Sequence, residues 1–213
     1  MTQIYLISPP QIILNDFTEE LKKALATGLI ERFQLRLKNY SKNDLLKIAK
    51  DLKIICQKNN CLFIVNDDDQ LALEVEADGV HLGIEDQRDQ ELILQIKKKY
   101  PKFIVGASCY DSRKLAIKAE EQGADYISFG AFFESSTKIS RGKPTYDLLD
   151  WAKIALNKPI VAIGGINSHN CQELVKRKVD FLAVISSIWQ DRQGVSQAII
   201  KLQKSITTTS KIS

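Results

Sequence analysis

Eight short apolar runs alternate with amphipathic segments along almost the whole chain, and this alternation restricts the fold more than any other feature. The amphipathic segments, such as "DLLKIAKDLKIICQK" and "SRKLAIKAEEQG", repeat Leu, Ile and Ala three and four positions apart, which is typical of helices. Parallel strands need such crossovers, so the pattern predicts parallel pairing, and the strand count favours closure. We therefore expect an α/β protein with a single-domain (β/α)8 TIM barrel. The predicted strands are 3–8, 32–37, 61–66, 78–83, 103–108, 125–130, 159–165 and 180–186.

Length and charge agree with one barrel. The 213 residues suit a single domain, which we assign to residues 1–206, with a flexible tail predicted at residues 207–213. The net charge of +4 is small and the lysines are scattered along helical faces, so we expect no nucleic-acid partner. The first residues, "MTQIYLISPP", have no basic leader and only a short apolar run, and the cysteines lack metal-type spacing. We expect a reduced, cytoplasmic protein without a membrane span.

Three aspartates occupy equivalent places in the predicted repeat. Asp78, Asp125 and Asp180 each come directly after a helical segment and directly before a strand, in "EADGVHLG", "GADYISFG" and "KVDFLAVIS". This position lies at the N-terminal mouth of a barrel, where no catalysis is expected. We interpret these side chains as structural groups that cap the beginning of strands.

The candidate functional residues follow from the rule that β/α barrels carry their active sites at the C-terminal ends of the strands. Polar residues or glycines stand at most of these ends, and we expect them to meet at one mouth. They are Arg36, Lys38, Asn66, Asp67, Asp86, Ser108, the loop from Ser135 to Lys138, Gly164, Gly165, Ser186 and Ser187.

Two carboxylates at consecutive strand ends, Asp67 and Asp86, suit Mg²⁺, which usually takes one or two protein carboxylates and completes its shell with water and phosphate oxygens. The alternative is that "NDDD" is a polar turn in which one aspartate caps the next helix. Arg36 and Lys38 are two apart in a predicted strand and so point to one side, where a diphosphate would neutralise them. A structural ion pair with a neighbouring carboxylate is the alternative for this pair.

A second anion site is predicted after the last two strands, because barrels often bind a phosphate there through glycine amides. Gly164 and Gly165 follow the seventh predicted strand, and Ser186 and Ser187 follow the eighth; a plain tight turn is the alternative for the glycines. The loop "GAFFESSTKISRGKP" adds hydroxyls beside cations. Histidine is scarce, and we interpret His81 as a hydrogen-bonded core residue and not as a general base.

The ordered motifs "QLRLK", "IVNDD", "GVHLGIED", "GAS", "SSTK", "VAIGGI" and "VIS" together resemble the thiamine-phosphate synthases of the thiamine-phosphate synthase and thiazole tautomerase superfamily. The resemblance runs from "YLIS" to the last strand. It implies a transferase of thiamine biosynthesis, a thiamine-phosphate diphosphorylase, that joins 4-amino-2-methyl-5-hydroxymethylpyrimidine diphosphate to 4-methyl-5-(2-phosphooxyethyl)thiazole by Mg²⁺-assisted dissociative displacement. It implies small-molecule substrates as partners and leaves a homo-oligomer open.

The resemblance also implies roles for individual residues. Arg36, Lys38, Ser108 and Lys138 would take part in catalysis, and Asp67 and Asp86 would hold Mg²⁺. The pyrimidine diphosphate would contact Gln34, Arg36, Lys38, Asn66, Ser108 and Lys138, while the thiazole phosphate would contact Ser135, Thr137, Gly165, Ile185 and Ser186.

Four positions depart from the family pattern. Glu134 and Ser135 stand where the family has Pro and Thr, Ile84 stands for Gln, and Tyr110 stands where His is frequent. Two alternatives therefore accompany the synthase prediction. One is a thiazole tautomerase-like isomerase, which by resemblance relies on a histidine near Tyr110, and the other is a catalytically silent phosphate-binding relative.

Overall fold

The computed structural model describes residues 1–83, 91–134 and 142–211, and its strands form a closed barrel. All neighbouring strands pair in parallel in the order β1 to β8, and β8 pairs with β1 to close the ring. This confirms the predicted (β/α)8 architecture. The strands are β1 Gln3–Ile7, β2 Ile30–Leu35, β3 Leu62–Asn66, β4 Gly79–Gly83, β5 Ile104–Tyr110, β6 Tyr126–Gly130, β7 Ile160–Ile163 and β8 Phe181–Val184.

Helices surround the barrel, and their apolar faces pack on the outside of the sheet. In the described parts of the chain they are α1 Leu14–Leu25, α2 Lys42–Lys58, α3 Asp69–Glu74, α4 Leu92–Lys99, α5 Arg113–Glu121, α6 Tyr146–Ala155, α7 Gln172–Lys176, α8 Ser186–Trp189 and α9 Val195–Ser210. Ser41 and Ser112 cap α2 and α5 by accepting a backbone N–H three residues on. No helix in the three described ranges is both long and apolar enough to cross a membrane.

Side chains divide between two cores according to the two-residue period of the strands. On β1, Ile4 and Leu6 belong to the larger core between the sheet and the helices, while Tyr5 and Ile7 point into the barrel. The inner core is filled by Tyr5, Ile7, Ile64, Tyr126, Val161, Phe181 and Ala183. The barrel interior is therefore packed with side chains, as in other closed β/α barrels.

The three repeated aspartates act as predicted, at the N-terminal end of the barrel. Each one exchanges two hydrogen bonds with a single residue of the preceding strand, since its backbone N–H donates to that residue's carbonyl and its carboxylate accepts from that residue's N–H. The pairs are Asp78 with Phe63 at 2.9 and 2.7 Å, Asp125 with Val105 at 2.7 and 2.8 Å, and Asp180 with Ile160 at 2.9 and 2.8 Å. Each aspartate thus ties the beginning of its strand to the neighbouring strand.

The predicted end of the second strand was wrong. Arg36 and Lys38 do not share a strand, because β2 ends at Leu35. Pro9 and Pro10 follow β1 and have no N–H, so the backbone of β2 leaves the ladder, and the Arg36 N–H donates instead to Ser8 Oγ at 2.8 Å.

The predicted tail from residue 207 is helical through Ser210, as the end of α9. Its side chains pack against the domain, since Ile206 and Thr209 are buried, and Thr209 Oγ1 donates to the Ser205 carbonyl at 2.9 Å. A polar composition predicted a flexible tail, whereas residues 207–210 continue α9 and bury the Thr209 side chain.

We expect Asp125→Ala to lower the free energy of unfolding by about 2 kcal/mol, because it removes a carboxylate that accepts the Val105 N–H and pairs with Lys97 at 2.8 Å. Urea denaturation of the purified variant measures the change. Glu121→Ala is the matched control, since this exposed carboxylate ends the helix before Asp125 and should leave stability within about 0.5 kcal/mol of the parent. Equal effects of the two substitutions would contradict the structural role of Asp125.

Candidate active site

A pocket opens at the C-terminal mouth of the barrel, and all eight strands contribute to its wall. Most of the predicted site residues line it, although the strands that carry them are far apart in the sequence. They are Gln34, Arg36, Asn66, Asp67, Ser108, Gly165, Ile185 and Ser186. The structure therefore brings together the predicted pyrimidine-diphosphate side, on β2, β3 and β5, and the predicted phosphate side, after β7 and β8.

Lys38, a predicted residue within the described ranges, is not in this pocket. Lys38 is exposed and borders a separate shallow groove with residues 11–13, Asn39 and Tyr40. Its backbone N–H donates to the Pro10 carbonyl at 3.1 Å, which fixes the chain outside the barrel. Four further predictions, Asp86, Ser135, Thr137 and Lys138, lie outside the described residues, as does Ile84.

Asp67 is held with its carboxylate at the pocket mouth. Its backbone has a φ of 62°, and its N–H donates to the His81 carbonyl at 2.8 Å, so the chain turns sharply just after β3. Oδ1 accepts the Gly83 N–H at 3.3 Å and Oδ2 accepts Asn66 Nδ2 at 2.6 Å. These contacts orient the carboxylate and leave lone pairs for a ligand.

The next residue explains the alternative interpretation of "NDDD". Asp68 caps α3, and its side chain accepts the Leu71 N–H at 2.9 Å. The helix cap and the pocket carboxylate are therefore neighbouring aspartates with different tasks, so one prediction does not exclude the other.

The donor set fits Mg²⁺ as far as the structure describes it. Over residues 1–83, 91–134 and 142–211, no group of three or more His, Cys, Asp and Glu side chains is arranged to hold a metal ion. Mg²⁺ does not need such a cage, because it is usually bound by one or two carboxylates together with water and substrate phosphates. Asp67 supplies one carboxylate at the wall where a diphosphate would lie.

Arg36 is the cation that the described structure places in the pocket. Its backbone is fixed by Ser8 Oγ, and within the described residues neither Arg36 nor Lys38 forms an ion pair with a carboxylate. A purely structural ion pair, the alternative given for these cations, is therefore not seen there. A cation at a pocket wall without a protein counter-ion favours an anionic ligand.

Gly164 and Gly165 are required by close packing as well as by backbone conformation. Their φ angles are 107° and 61°, which disfavour side chains. A Cβ on Gly164 would lie 2.3 Å from Ala131 Cβ, and one on Gly165 would lie 2.3 Å from the Glu134 carbonyl oxygen. The glycine turn is thus packed directly against residues 131–134. A plain tight turn, which was the alternative, would not require this packing.

Ser186 and Ile185 complete this side of the pocket at the beginning of α8. The neighbouring Ser187 Oγ is buried and has no hydrogen-bond partner among the described groups. Buried hydroxyls normally have a partner, so this atom indicates that the region completes its hydrogen bonds with a ligand or water. Glu134, which departs from the family pattern, has an exposed side chain.

Sequence analysis did not place Tyr5 and Ser128 in the pocket, whereas its interpretation of His81 as a buried, hydrogen-bonded residue is confirmed. Tyr5, Tyr110 and Ser128 line the pocket, and His81 is hydrogen-bonded at both ring nitrogens, to Tyr126 Oη at 3.0 Å and Ser108 Oγ at 2.8 Å. The two-residue period of β1 and β4 would have indicated the inward side of Tyr5 and His81. The φ of 55° at Tyr110 and the irregular β5–β6 register beside it are not visible in the sequence.

A closed parallel barrel whose mouth combines an oriented carboxylate, an arginine without an ion pair among the described residues and a glycine turn defines a class, the (β/α)8-barrel enzymes of phosphorylated small molecules. A family model described as thiamine monophosphate synthase matches residues 4–188. The chain therefore belongs to the thiamine-phosphate synthase family. The prediction that the chain belongs to this family, and that it is a transferase, is confirmed.

Individual relatives agree with this assignment. The thiamine-phosphate synthase of Erythrobacter litoralis is 40% identical over 202 residues, covering 92% of this chain and 93% of the relative. That of Pelagibacter ubique is 40% identical over 190 residues, covering 89% and 90%. The solved structure of thiamine phosphate pyrophosphorylase from Pyrococcus furiosus is 34% identical and superposes with a TM-score of 0.81, covering 97% of this chain and 96% of that one.

We expect Gly165→Ala to lower the affinity for the thiazole phosphate at least about tenfold, because its Cβ must displace the Glu134 carbonyl and distort the glycine turn. Isothermal titration calorimetry measures the dissociation constant. Gly28→Ala is the control, since Gly28 has a similar φ of 66° but nothing within 4 Å of its Cβ position. Gly28→Ala should cost about 1 kcal/mol of stability and leave affinity unchanged. Unchanged affinity in Gly165→Ala would contradict a phosphate site at this turn.

Proposed function

We propose that this pocket joins 4-amino-2-methyl-5-hydroxymethylpyrimidine diphosphate to 4-methyl-5-(2-phosphooxyethyl)thiazole, giving thiamine phosphate and diphosphate. The observation that carries the proposal is the convergence of Arg36 and Asp67 on one side of a single pocket and of Gly165 and Ser186 on the other. Such a pocket offers two anion sites with space between them. The reaction needs both, because each substrate carries phosphate groups.

The pyrimidine diphosphate would occupy the side formed by β2, β3 and β5. Arg36 would bind the diphosphate, and Asn66, Gln34 and Ser108, which line the same pocket, would offer amide and hydroxyl groups around it. The thiazole phosphate would bind the amides of the glycine turn together with Ile185 and Ser186. Three residues outside the described parts, Ser135, Thr137 and Lys138, are assigned to these two substrates by family resemblance alone.

Mg²⁺ would be held by Asp67, with Asp86 as the second carboxylate by family resemblance. When bound, it neutralises charge on the diphosphate and thereby makes it a better leaving group. Asp67 itself has the task of keeping its carboxylate at the wall, through the bonds from Gly83 and Asn66.

The chemistry needs no nucleophile from the protein. The bond between the pyrimidine methylene carbon and the diphosphate oxygen breaks, and its electron pair leaves with the diphosphate. The resulting cation is delocalised over the aminopyrimidine, and the thiazole nitrogen donates its lone pair to the methylene carbon to form the new bond. Arg36 stabilises the negative charge that develops on the departing diphosphate, where a fixed donor has its largest effect.

Asp67→Ala should lower kcat/KM about a hundredfold and raise the Mg²⁺ concentration needed for half-maximal rate, because one fixed carboxylate is lost. The assay measures diphosphate release from both substrates, with thiamine phosphate identified by mass. Asp68→Ser is the neighbouring control, since serine preserves a helix cap and Asp68 is not in the pocket wall.

The same assay separates the alternatives. Thiazole isomerisation without thiamine phosphate would indicate the tautomerase-like activity, and binding of the thiazole phosphate without turnover would indicate the silent relative. Either result with folded parent protein would overturn the synthase proposal.

Arg36→Ala and Lys38→Ala should have very different effects, although both residues were predicted as catalytic cations. Arg36→Ala should lower kcat about a hundredfold, because it removes a charge from the pocket wall. Lys38→Ala should lower kcat/KM less than about fivefold, through weak attraction across solvent. Steady-state kinetics at two salt concentrations measures both. A larger loss in Lys38→Ala would show that its side chain reaches the substrate and would restore the original prediction.

A further inference from the structure

A chain of hydrogen bonds runs along the pocket floor and ends on two of the pocket walls. Gln34 Nε2 donates to Tyr5 Oη at 2.9 Å, and the Tyr5 and Tyr126 hydroxyls are 2.8 Å apart. Tyr126 Oη lies 3.0 Å from His81 Nδ1, and His81 Nε2 lies 2.8 Å from Ser108 Oγ. We call these five residues the relay. Gln34, His81 and both tyrosines are buried, and all members of the relay except Tyr126 line the pocket.

Counting the hydrogens that each group carries shows which atom is the donor in each hydrogen bond of the relay. Each phenol has one hydrogen, and burial raises the pKa of Tyr5 to about 12 and that of Tyr126 well above its ordinary value, so both remain protonated. Because Gln34 donates to Tyr5, the Tyr5 hydrogen goes to Tyr126, and the Tyr126 hydrogen goes to His81 Nδ1. A neutral imidazole that accepts at Nδ1 carries its hydrogen on Nε2, which donates to Ser108 Oγ.

We propose that the relay fixes His81 in the Nε2–H tautomer and thereby makes Ser108 a hydrogen-bond donor toward the ligand. His81 is a positioning residue in this arrangement. This inference rests on the proposed function for the identity of the ligand, which at this wall is the pyrimidine diphosphate. Ser108 Oγ accepts from His81, so its own hydrogen is directed to another acceptor, such as a diphosphate oxygen.

The tautomer also decides between two chemistries that the geometry alone would allow. A serine hydroxyl 2.8 Å from an imidazole nitrogen has the spacing of a nucleophile and its general base. That role requires Nε2 to accept the serine proton, but in the relay Nε2 already carries a hydrogen. Ser108 is therefore not activated for attack, which agrees with a reaction in which the thiazole nitrogen is the nucleophile.

The other end of the relay, at Gln34, presents a hydrogen-bond acceptor to the pocket instead of a donor. Gln34 uses Nε2 for Tyr5, and within the described residues its Oε1 has no protein partner. The pocket thus offers an acceptor at Gln34 and a donor at Ser108. An aminopyrimidine diphosphate matches this pair, since its exocyclic amine donates and its diphosphate accepts.

Nitrogen-15 NMR of the ligand-free protein tests the tautomer without any assay of activity. The chain has two histidines, so His169→Gln leaves His81 as the one imidazole to be observed. We expect the two-bond proton–nitrogen correlations of an Nε2–H tautomer at neutral pH. An Nδ1–H tautomer would overturn the proposal, whereas an inactive protein with the Nε2–H tautomer would count against the proposed function and support the relay.

Gln34→Glu gives the sharper test, because a carboxylate accepts hydrogen bonds and has no hydrogen to donate. The Tyr5 hydrogen should then turn to Glu, the Tyr126 hydrogen to Tyr5, and His81 Nδ1 should acquire a hydrogen. The hydrogen-bonded path from residue 34 to the imidazole runs through both phenols, so a new hydrogen on Nδ1 would report the reversal of that path. An Nδ1 that stays unprotonated in folded Gln34→Glu protein would refute the relay.

Kinetics of His81→Gln and His81→Asn shows whether His81 orients Ser108 or only contributes to packing. A glutamine amide reaches the place of Nε2 and keeps a donor for Ser108, while an asparagine amide ends near Nδ1 and does not. We expect His81→Asn to lower kcat about tenfold with the KM for the thiazole phosphate unchanged, and His81→Gln to recover most of that loss. Equal losses in the two variants would mean that His81 serves packing alone.

Discussion

Closure of the parallel ladder is the constraint on which the rest of the structure depends. β1 pairs with β8 along Gln3–Phe181 to Leu6–Val184, so the first strand completes the ring that the other strands begin. A closed sheet has no edges to protect, and it forces every C-terminal strand end to one mouth. Residues as distant as Gln34 and Ser186 share a pocket for this reason and not through any local contact.

The N-terminal end of the barrel contributes to stability, and the C-terminal end carries the functional groups. At the N-terminal end, Asp78, Asp125 and Asp180 satisfy strand N–H groups with charged acceptors and lock neighbouring strands together. At the C-terminal end, Arg36 lies without a protein counter-ion among the described residues, and the glycine turn accepts positive φ angles. Groups that are costly in a folded protein thus collect where a ligand can compensate for them.

Much of the fold and part of the site could be predicted because both depend on local patterns. The alternation of apolar and amphipathic segments gave the barrel, and the strand-end rule gave Asp67, Ser108 and Gly165. Lys38 was misplaced because the end of β2 is decided by prolines that follow another strand, β1. The relay was not predicted, since it joins Tyr5 to Tyr126, 121 residues away, and depends on side-chain directions that a one-dimensional pattern does not contain.

A pocket with fixed polarity suits a reaction in which charge separates and no protein atom forms a bond. Water would have to reorient around a departing diphosphate, whereas in the proposed reaction Arg36 and the Ser108 hydroxyl would be oriented before the bond breaks. The orientation of Ser108 comes from two neutral phenols and an imidazole inside the barrel, so no buried charge is needed to maintain it. The same packed interior that stabilises the barrel therefore also sets the donor that faces the substrate, which links the choice of core residues Tyr5 and Tyr126 to the chemistry at the mouth.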